Sequence, residues 1–300
     1  MSHSHLEHRF DVYRAVTESI VEAIEAGAGP FVMPWHGAGA TQRTENAHTR
    51  MNYHGVNVLV LWARACLKRF GSGYWASYKQ WQEAGAQVRR GEEGTVIVFF
   101  KRLDEPDDET DADETERPRG GLVARASRVF NADQVTGWQP PISRHEANPV
   151  EWLEAAETFV SATGARVTHG GVEAFYSPSD DAIRMPDRDH FTGTPTSTPT
   201  EAYYATLLHE LVHWTGAAHR LDRGLVRRGP MEVAAEELVA EIGAAFLCAD
   251  LQVANAPRPD HAAYVAHWLE LLRNDKRAVF TAARLAGTAA SYLHDLAAAP

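Results

Sequence analysis

Residues 198–216 read TPTEAYYATLLHELVHWTG, and this stretch decides the architecture of the second half of the chain. Thr198 can cap a helix, Pro199 suits the first helical position, and Glu201 stands three residues after the cap, as a capping box requires. Gly216 is a typical helix stop. The pattern therefore predicts one continuous helix that begins at the proline and ends at the glycine.

Within this helix, residues 209–213 form the motif HELVH. A spacing of four places His209 and His213 on one helical face, one turn apart, so both imidazoles can bind the same metal ion. Glu210 lies one residue further round, where it can take a proton from a metal-activated water. The motif predicts a single metal centre with two histidine ligands and Glu210 as general base, an arrangement typical of zinc-dependent peptidases.

The third metal ligand has three candidates in the sequence. HELVHWTGAAH matches the spacing HExxHxxGxxH, which would make His219 the ligand. The helical pattern VAAEELVAEIGAAFL offers a carboxylate instead. There Glu237 is favoured, because Glu241 follows one turn later and can accept a hydrogen bond from a ligand histidine as a second-shell group. Glu236 lacks such a neighbour and is the less favoured carboxylate.

The charge of the chain is unevenly distributed. The formal net charge is -11, which by itself argues against nucleic acid as a partner. Much of that charge lies in LDEPDDETDADETE, which contains no Lys or Arg, whereas residues 1–103 are mildly basic. Like charges with a proline and no aromatic residue cannot pack into a core, so we expect residues 104–119 to form an acidic, disordered surface loop.

The first half of the chain alternates between helix and strand patterns. Apolar residues recur at helical spacing in FDVYRAVTESIVEAIEAG and in VNVLVLWARACLKRF, so each predicts a helix. The β-branched run TVIVFF and the later LVARASRVF predict two strands that lie side by side. We therefore expect an α+β domain over residues 1–145.

The second half, residues 146–300, is mostly helical in pattern. Before the HELVH helix, VTHGGVEAFYS and DDAIRMP alternate polar and apolar residues and predict two short strands joined by a turn. The fold class expected for the whole chain is α+β with two domains, the second mostly helical with a small β-sheet.

Aromatic and basic side chains interleave through the first domain. Single-stranded nucleic acid is held by such a mixture, since bases stack on aromatic rings while cations follow the phosphates. Aromatic residues at helical spacing also form ordinary cores, so both interpretations are open at this point. The candidate DNA contacts are Trp35, Arg50, Tyr53, Asn57, Trp75, Lys79, Arg89, Arg90 and Lys101.

Membrane and secretory signals are missing from the sequence. No apolar run approaches the roughly 20 residues that span a bilayer, and MSHSHLEHRF lacks the apolar stretch of a secretory signal. Cys66 and Cys248 form no CxxC pair, so they suggest neither a disulfide framework nor a cysteine metal site. We expect a cytoplasmic protein with no membrane partner.

Blocks of sequence along nearly the whole chain resemble the ArdC antirestriction proteins of conjugative plasmids. In the first domain the resemblance rests on PFVMPW, YHGVNVLVLW, YKQWQEAGAQVRRGEEGTVIVFFK and VFNADQVTGW. In the second it rests on YYATLLHELVHWTG, RLDR, EELVAEIGAAFLCADL and YVAHWLELLRNDKRAVFTAA. The blocks follow the same order and spacing as in that family.

The resemblance implies an N-terminal domain that binds single-stranded DNA and a C-terminal zincin-like metallopeptidase domain, which together protect incoming DNA from host restriction. By position, it implies His209, His213 and Glu237 as ligands of one Zn²⁺, or of another divalent ion such as Mn²⁺, with Glu210 as base. It thus favours the glutamate over His219. A host restriction-related protein would be the peptidase substrate. The alternative is a DNA-coating shield whose metal site is structural or vestigial and cleaves no peptide.

Overall fold

The computed structural model describes residues 11–27, 44–102, 122–140, 149–191, 198–224, 229–253 and 261–299. The predicted acidic loop at 104–119 lies outside these ranges. Within them, none of the helices combines the length and the apolar character that crossing a membrane would require.

The N-terminal half contains the two predicted helices, α1 (Val12–Gly27) and α2 (Val56–Lys68). It also contains the predicted pair of strands, which run antiparallel with Thr95 opposite Val129. The remaining bounds are β1 Glu45–Asn46, β2 Tyr74–Ser77, α3 Tyr78–Glu83, β3 Gln87–Val88, β4 Thr95–Arg102, β5 Leu122–Asn131 and β6 Val135–Thr136. The antiparallel pair is β4 with β5, which belongs to a four-stranded sheet in the order β1-β2-β5-β4, and β3 pairs with β6 separately.

The C-terminal half places a small sheet beside a group of helices. Three strands form this sheet, where the sequence pattern predicted two: β7 (Arg166–His169), β8 (Phe175–Ser177) and β9 (Ala182–Met185), in the spatial order β7-β9-β8. The difference arises at Gly170 and Gly171, whose positive φ angles of 131° and 80° interrupt the first predicted strand. The bounds of the helices are α4 Pro149–Ala162, α5 Pro199–Thr215, α6 Pro230–Leu251, α7 His261–Asn274 and α8 Ala278–Ala298.

One hydrophobic core runs through both halves of the chain. The apolar face of α1, including the fully buried Ile20, packs in the same core as α5, α6 and α8. The Thr17 hydroxyl donates a hydrogen bond to the carbonyl of Lys276 at 2.8 Å, and the rings of Tyr13 and Phe280 lie 4.7 Å apart. The domain boundary near residue 145 therefore stays a prediction, and across it the two halves share apolar packing.

Helix α5 begins and ends as its sequence predicts. The Thr198 hydroxyl accepts a hydrogen bond from the Glu201 backbone N–H at 3.2 Å, and the Glu201 carboxylate accepts one from the Thr198 N–H at 2.7 Å. At the other end, the Gly216 N–H donates to the His213 carbonyl. These reciprocal bonds satisfy orphan donors of the first turn and fix the start of the helix that carries HELVH.

Replacing the capping residue should therefore weaken the protein measurably. We expect Thr198→Ala to lower the free energy of unfolding by about 1 kcal/mol, because an N3 backbone donor loses its partner. Thr198→Ser keeps the hydroxyl and should unfold within about 0.5 kcal/mol of the wild type. Urea unfolding followed by circular dichroism measures both. Equal destabilisation by serine and alanine would show that the hydroxyl does not act as the cap.

Candidate metal centre

Helices α5 and α6 pack closely where Gly243 faces Val212. A Cβ atom added to Gly243 would lie 2.8 Å from Val212 Cγ2, far inside the distance of about 3.5 Å at which carbon atoms attract. Val212 is fully buried and its β-branched side chain is restricted to few rotamers, so it cannot easily move away. Glycine is therefore required at position 243. Val212 directly precedes His213 in sequence, and Gly243 lies two residues after Glu241, so this close contact is adjacent to the candidate metal ligands.

The crossing brings together the two predicted histidine ligands and one glutamate. The Nε2 atoms of His209 and His213 lie 3.1 Å apart, and they lie 3.4 and 3.5 Å from the two carboxylate oxygens of Glu237. Ligands held about 2.0–2.1 Å from a tetrahedral zinc ion are separated by about 3.3 Å. The three groups therefore already have the spacing of ligands around one metal ion. Another group with metal-binding side chains is fully exposed and comprises Asp187, Asp189 and His190.

Each ligand histidine is backed by a second carboxylate from α6. His209 Nδ1 lies 3.6 Å from Glu241, the carboxylate that the sequence pattern favours behind this histidine, which is an electrostatic contact and longer than a hydrogen bond. His213 Nδ1 lies 3.3 Å from Glu236, a partner that the sequence pattern did not predict. Arg223 in turn donates to both oxygens of Glu236, at 3.1 and 3.2 Å from its Nε. Such contacts hold the imidazoles so that Nε2 faces the metal.

The charges of this cluster favour a bound cation. Burial by itself would lower the pKa of His213, but its contacts with Glu236 and Glu237 outweigh burial and raise that pKa to about 10. Burial would likewise raise the pKa of Glu237, whereas the imidazoles of His209 and His213 hold it well below its ordinary value. The carboxylates therefore stabilise positive charge on His213, and a divalent metal would replace that proton as their counter-charge.

The predicted general base, Glu210, lies beneath the small sheet. Its side chain is only 3% exposed, and it accepts a hydrogen bond from the Tyr176 backbone N–H of β8 at 3.0 Å. The hydroxyl of Tyr176 donates to Asp181, which also forms an ion pair with Arg220. Arg220 lowers the pKa of Asp181 to about 2. The hydrogen bond from Tyr176 to Asp181 and the ion pair of Asp181 with Arg220 thus hold strand β8 in place, and β8 in turn holds Glu210.

His219 and Glu236, the competing candidates for the third ligand, interact with residues other than the His209–His213–Glu237 cluster or lie behind it. Glu236 accepts hydrogen bonds from Arg223 and contacts the Nδ1 side of His213. The side chain of His219 is 63% exposed and lies 3.3 Å from Asp181. It is not part of the cluster formed by His209, His213 and Glu237. The match to HExxHxxGxxH therefore does not correspond to a shared site, because the chain after Gly216 directs the imidazole toward Asp181.

Two family models match this chain, one in each half, and a solved structure superposes on nearly all of it. Residues 10–130 match the N-terminal domain of anti-restriction factor ArdC, and residues 154–285 match a zincin-like metallopeptidase. The metal-free crystal structure of antirestriction ArdC protein from R388 plasmid is 35% identical and superposes with a TM-score of 0.76, covering 96% of this chain and 98% of that one. The chain belongs to the ArdC antirestriction family.

Other relatives of this ArdC-family chain support the assignment. The Mn(II)-bound structure of the R388 protein is 36% identical, with a TM-score of 0.74 and coverage of 96% of this chain and 99% of that chain. The uncharacterized protein y4eC of Sinorhizobium fredii (strain NBRC 101917 / NGR234) is 43% identical over 95% of this chain and 92% of its own length. DNA primase TraC of Escherichia coli is 38% identical over 90% of this chain, but this chain spans only 26% of TraC.

A divalent metal thus has support from two directions. Two imidazoles and a carboxylate at ligand spacing suit Zn²⁺ and similar ions. A related ArdC structure is described as Mn(II)-bound. The choice between zinc, manganese and related ions is not fixed by this donor set.

The candidate DNA contacts occupy different environments. Arg50, Lys79, Arg89 and Arg90 are exposed, although Arg89 is paired with Glu92. Trp35 and the Lys101 side chain lie outside what the structure describes.

The remaining three candidates have roles inside the fold. Asn57 joins α2 to β4, because its amide donates to the Val98 carbonyl at 2.7 Å and accepts from the Val98 N–H at 2.8 Å. Tyr53 is half-buried and donates its hydroxyl to the Trp75 carbonyl. Trp75 is only 1% exposed, so in this conformation its ring belongs to the core and has no face on which a base can stack.

An aromatic and basic surface that the prediction missed lies on β4 and β5. Phe99 and Phe100 are 46% and 51% exposed. Phe99 lies directly opposite the exposed Arg125, and opposite residues of an antiparallel pair share one face of the sheet. The sequence signal was the pair FF in TVIVFFKR: consecutive strand residues point to opposite faces, so both faces of the sheet would have to be covered to bury the two rings, and Phe99 is the one that shares a face with Arg125.

The close packing of α5 on α6 can be tested by adding one methyl group. We expect Gly243→Ala to cost about 1–3 kcal/mol of unfolding free energy through overpacking, and to weaken metal binding because the ligand helices are forced apart. Adding Val212→Ala should restore much of the metal affinity, since it removes the atoms that clash. Chemical unfolding and competition with a chromophoric chelator give the two readouts.

Gly287→Ala is the matched control for this experiment. Gly287 is also helical, but an added Cβ there meets no atom within 4 Å. The control should bind metal as the wild type does. A Gly243→Ala protein with unchanged metal affinity would contradict the packing argument.

Proposed function

We propose that this ArdC-family protein binds single-stranded DNA entering a cell and hydrolyses a peptide bond in a host restriction-related protein, and so protects the DNA from restriction. It would act in the cytoplasm of the recipient cell. The observation that carries the proposal is the cluster of the buried His209 with the partly buried His213 and Glu237, in a chain whose sheet also exposes aromatic and basic side chains. One molecule would thus hold the DNA and act on the protein that attacks it.

The residues around the cluster suit hydrolysis. When bound, the metal would supply a Lewis acid that polarises a carbonyl and lowers the pKa of water. Glu210 is held by the Tyr176 N–H, so its carboxylate is positioned to accept a proton from the attacking water and to pass it to the leaving amine. Burial of Glu210 strengthens these electrostatic interactions, since little bulk water screens them.

The small sheet suits an extended peptide as substrate. Strand β8 is one of the two edge strands in the order β7-β9-β8, and it lies next to the base, since its Tyr176 N–H donates to Glu210. An extended chain can add to such an edge through backbone hydrogen bonds. Val172 and Phe175, which are 83% and 43% exposed, offer apolar contacts to its side chains.

The ligand count favours catalysis over a structural metal. Structural zinc sites commonly use four protein ligands, whereas catalytic sites keep one position for water or substrate. Among the described residues, the cluster of His209, His213 and Glu237 offers three ligand atoms, and Glu210, next to His209 in sequence, is a carboxylate suited to act as base. A DNA-coating shield with a purely structural metal would need neither the open position nor the base.

Replacing the base separates these two possibilities. We expect Glu210→Gln to keep metal affinity within a few-fold of the wild type but to lower peptide hydrolysis by roughly 10²–10⁴-fold, because the amide cannot accept the proton. Incoming plasmid DNA should then lose its protection in a mating assay with a restricting recipient. His219→Gln, which changes an exposed histidine outside the cluster, is the control. If Glu210→Gln protects DNA as well as the wild type, the peptidase role is wrong and the shield remains.

The exposed surface on β4 and β5 predicts where DNA binds. Phe99→Ala should weaken binding to a single-stranded oligonucleotide about tenfold, because one base loses its stacking partner. Arg125→Ala should weaken binding and also reduce its dependence on salt, because a phosphate contact is lost. Fluorescence anisotropy at two salt concentrations measures both. Phe175→Ala removes a phenylalanine of similar exposure beside the metal centre and should bind DNA normally; a loss as large as that of Phe99→Ala would refute the assignment.

A further inference from the structure

A cavity of about 880 Å³ lies between the N-terminal half and the helices α6 and α8. Its N-terminal wall includes Asn52, Tyr53 and His54, and its opposite wall includes Phe246, Tyr292 and His294. This volume falls within the range of about 300–1,000 Å³ that is usual for small-molecule sites. The cavity is separate from the cluster of metal ligands, none of which lines it.

Aromatic rings form part of the cavity walls. Tyr53 is half-buried, and its hydroxyl is already engaged, because it donates to the Trp75 carbonyl at 3.3 Å and accepts from Asn46 at 3.2 Å. Phe246 and Tyr292 also line the cavity and are half-buried, whereas Trp62, whose ring centroid lies 6.0 Å from that of Phe246, is only 2% exposed and belongs to the core. A flat ligand would therefore meet ring surfaces, which favours an aromatic or heteroaromatic group.

The charged groups of the cavity disfavour an anion. Asp250 is hydrogen-bonded to His294 at 2.8 Å, and the described residues of the lining include a second carboxylate, Asp295, and one guanidinium, Arg284. A phosphate would be repelled by these carboxylates. The cavity therefore favours an uncharged ring that carries both hydrogen-bond donors and hydrogen-bond acceptors, because its own lining offers both.

One buried polar atom in the wall adds to this match. Thr44 lines the cavity and is only 3% exposed, and its Oγ1 finds no hydrogen-bond partner within the described part of the chain. A buried hydroxyl without a partner is costly, and a ligand that supplies a donor or an acceptor relieves that cost. The cavity thus combines ring surfaces, mixed polarity and an available hydroxyl.

We propose that this cavity receives an unstacked nucleobase. The inference rests on the proposed function, because the base would belong to the bound single strand. A strand is favoured over a free nucleotide because Arg50 lies outside the cavity, two residues before the wall residue Asn52. Its guanidinium pairs with Glu45 at 2.8 Å, but its side chain is 48% exposed, so it can exchange this weak surface pair for a neighbouring phosphate. Phosphates would stay at the surface while one base enters.

The test narrows the cavity from α8 without disturbing the core. Gly287 lines the cavity, and a Cβ added there meets no atom within 4 Å, so Gly287→Leu projects into open space and replaces a helical glycine by a good helix former. Ser291→Leu does the same one turn later from an exposed position. Thr281→Leu, on the same helix but outside the cavity and exposed, is the control.

The full-length variants are titrated against two labelled strands of equal length, one with bases and one made of abasic sites, at low salt so that phosphate contacts keep both bound. We expect each cavity variant to weaken binding of the base-bearing strand about tenfold, as loss of one stacked base does, and to leave the abasic strand unaffected. The wild type and Thr281→Leu should bind alike. Thermal unfolding confirms that all variants are folded.

Other results overturn the proposal in distinct ways. Equal losses on both strands, or no loss on either, would exclude a base from the cavity while the proposed DNA binding stands. Tight binding of a deoxynucleoside monophosphate that both leucines abolish, with the strands unaffected, would assign the cavity to a free nucleotide. Failure of the wild type to bind any strand would remove the proposed function itself.

Discussion

The close crossing of α5 and α6 at Gly243 and Val212 is the constraint on which the metal centre depends. A histidine pair at a spacing of four supplies two ligand atoms from one helix, but the third must come from another element. Glu237 reaches both imidazoles because α6 approaches α5 with no side chain at the crossing. The fold therefore builds the centre from the contact distance between two helices.

Charge compensation is the second requirement, and it links folding to the metal. Three glutamates of α6, at positions 236, 237 and 241, lie close to two imidazoles in a largely buried region. Buried charges are stable only when they are paired. Arg223 pairs with Glu236, and a divalent cation would balance the other carboxylates. The same residues thus support the helix packing and select a cation.

Structural features that are set by local sequence were predicted well, whereas features that are set by the packing of distant segments were not. The capping box at Thr198 and the spacing of HELVH are local, and both correspond to the structure. His219 also matched a local spacing, but its ring lies against Asp181, which is distant in sequence. The burial of Trp75 and the contact of Glu236 with His213 depend on how neighbouring elements dock, and a helix or strand pattern carries no information about that.

The most direct test of the metal centre is a comparison of metal binding by Glu237→Gln and His219→Gln, measured by titration of Zn²⁺ and Mn²⁺ into each full-length protein. Loss of a partner behind a ligand typically weakens binding by roughly 10–100-fold, and loss of a ligand should weaken it at least as much. We expect Glu237→Gln to show that loss, and His219→Gln to bind one metal ion per chain as tightly as the wild type. The reverse pattern would contradict a centre built from α5 and α6.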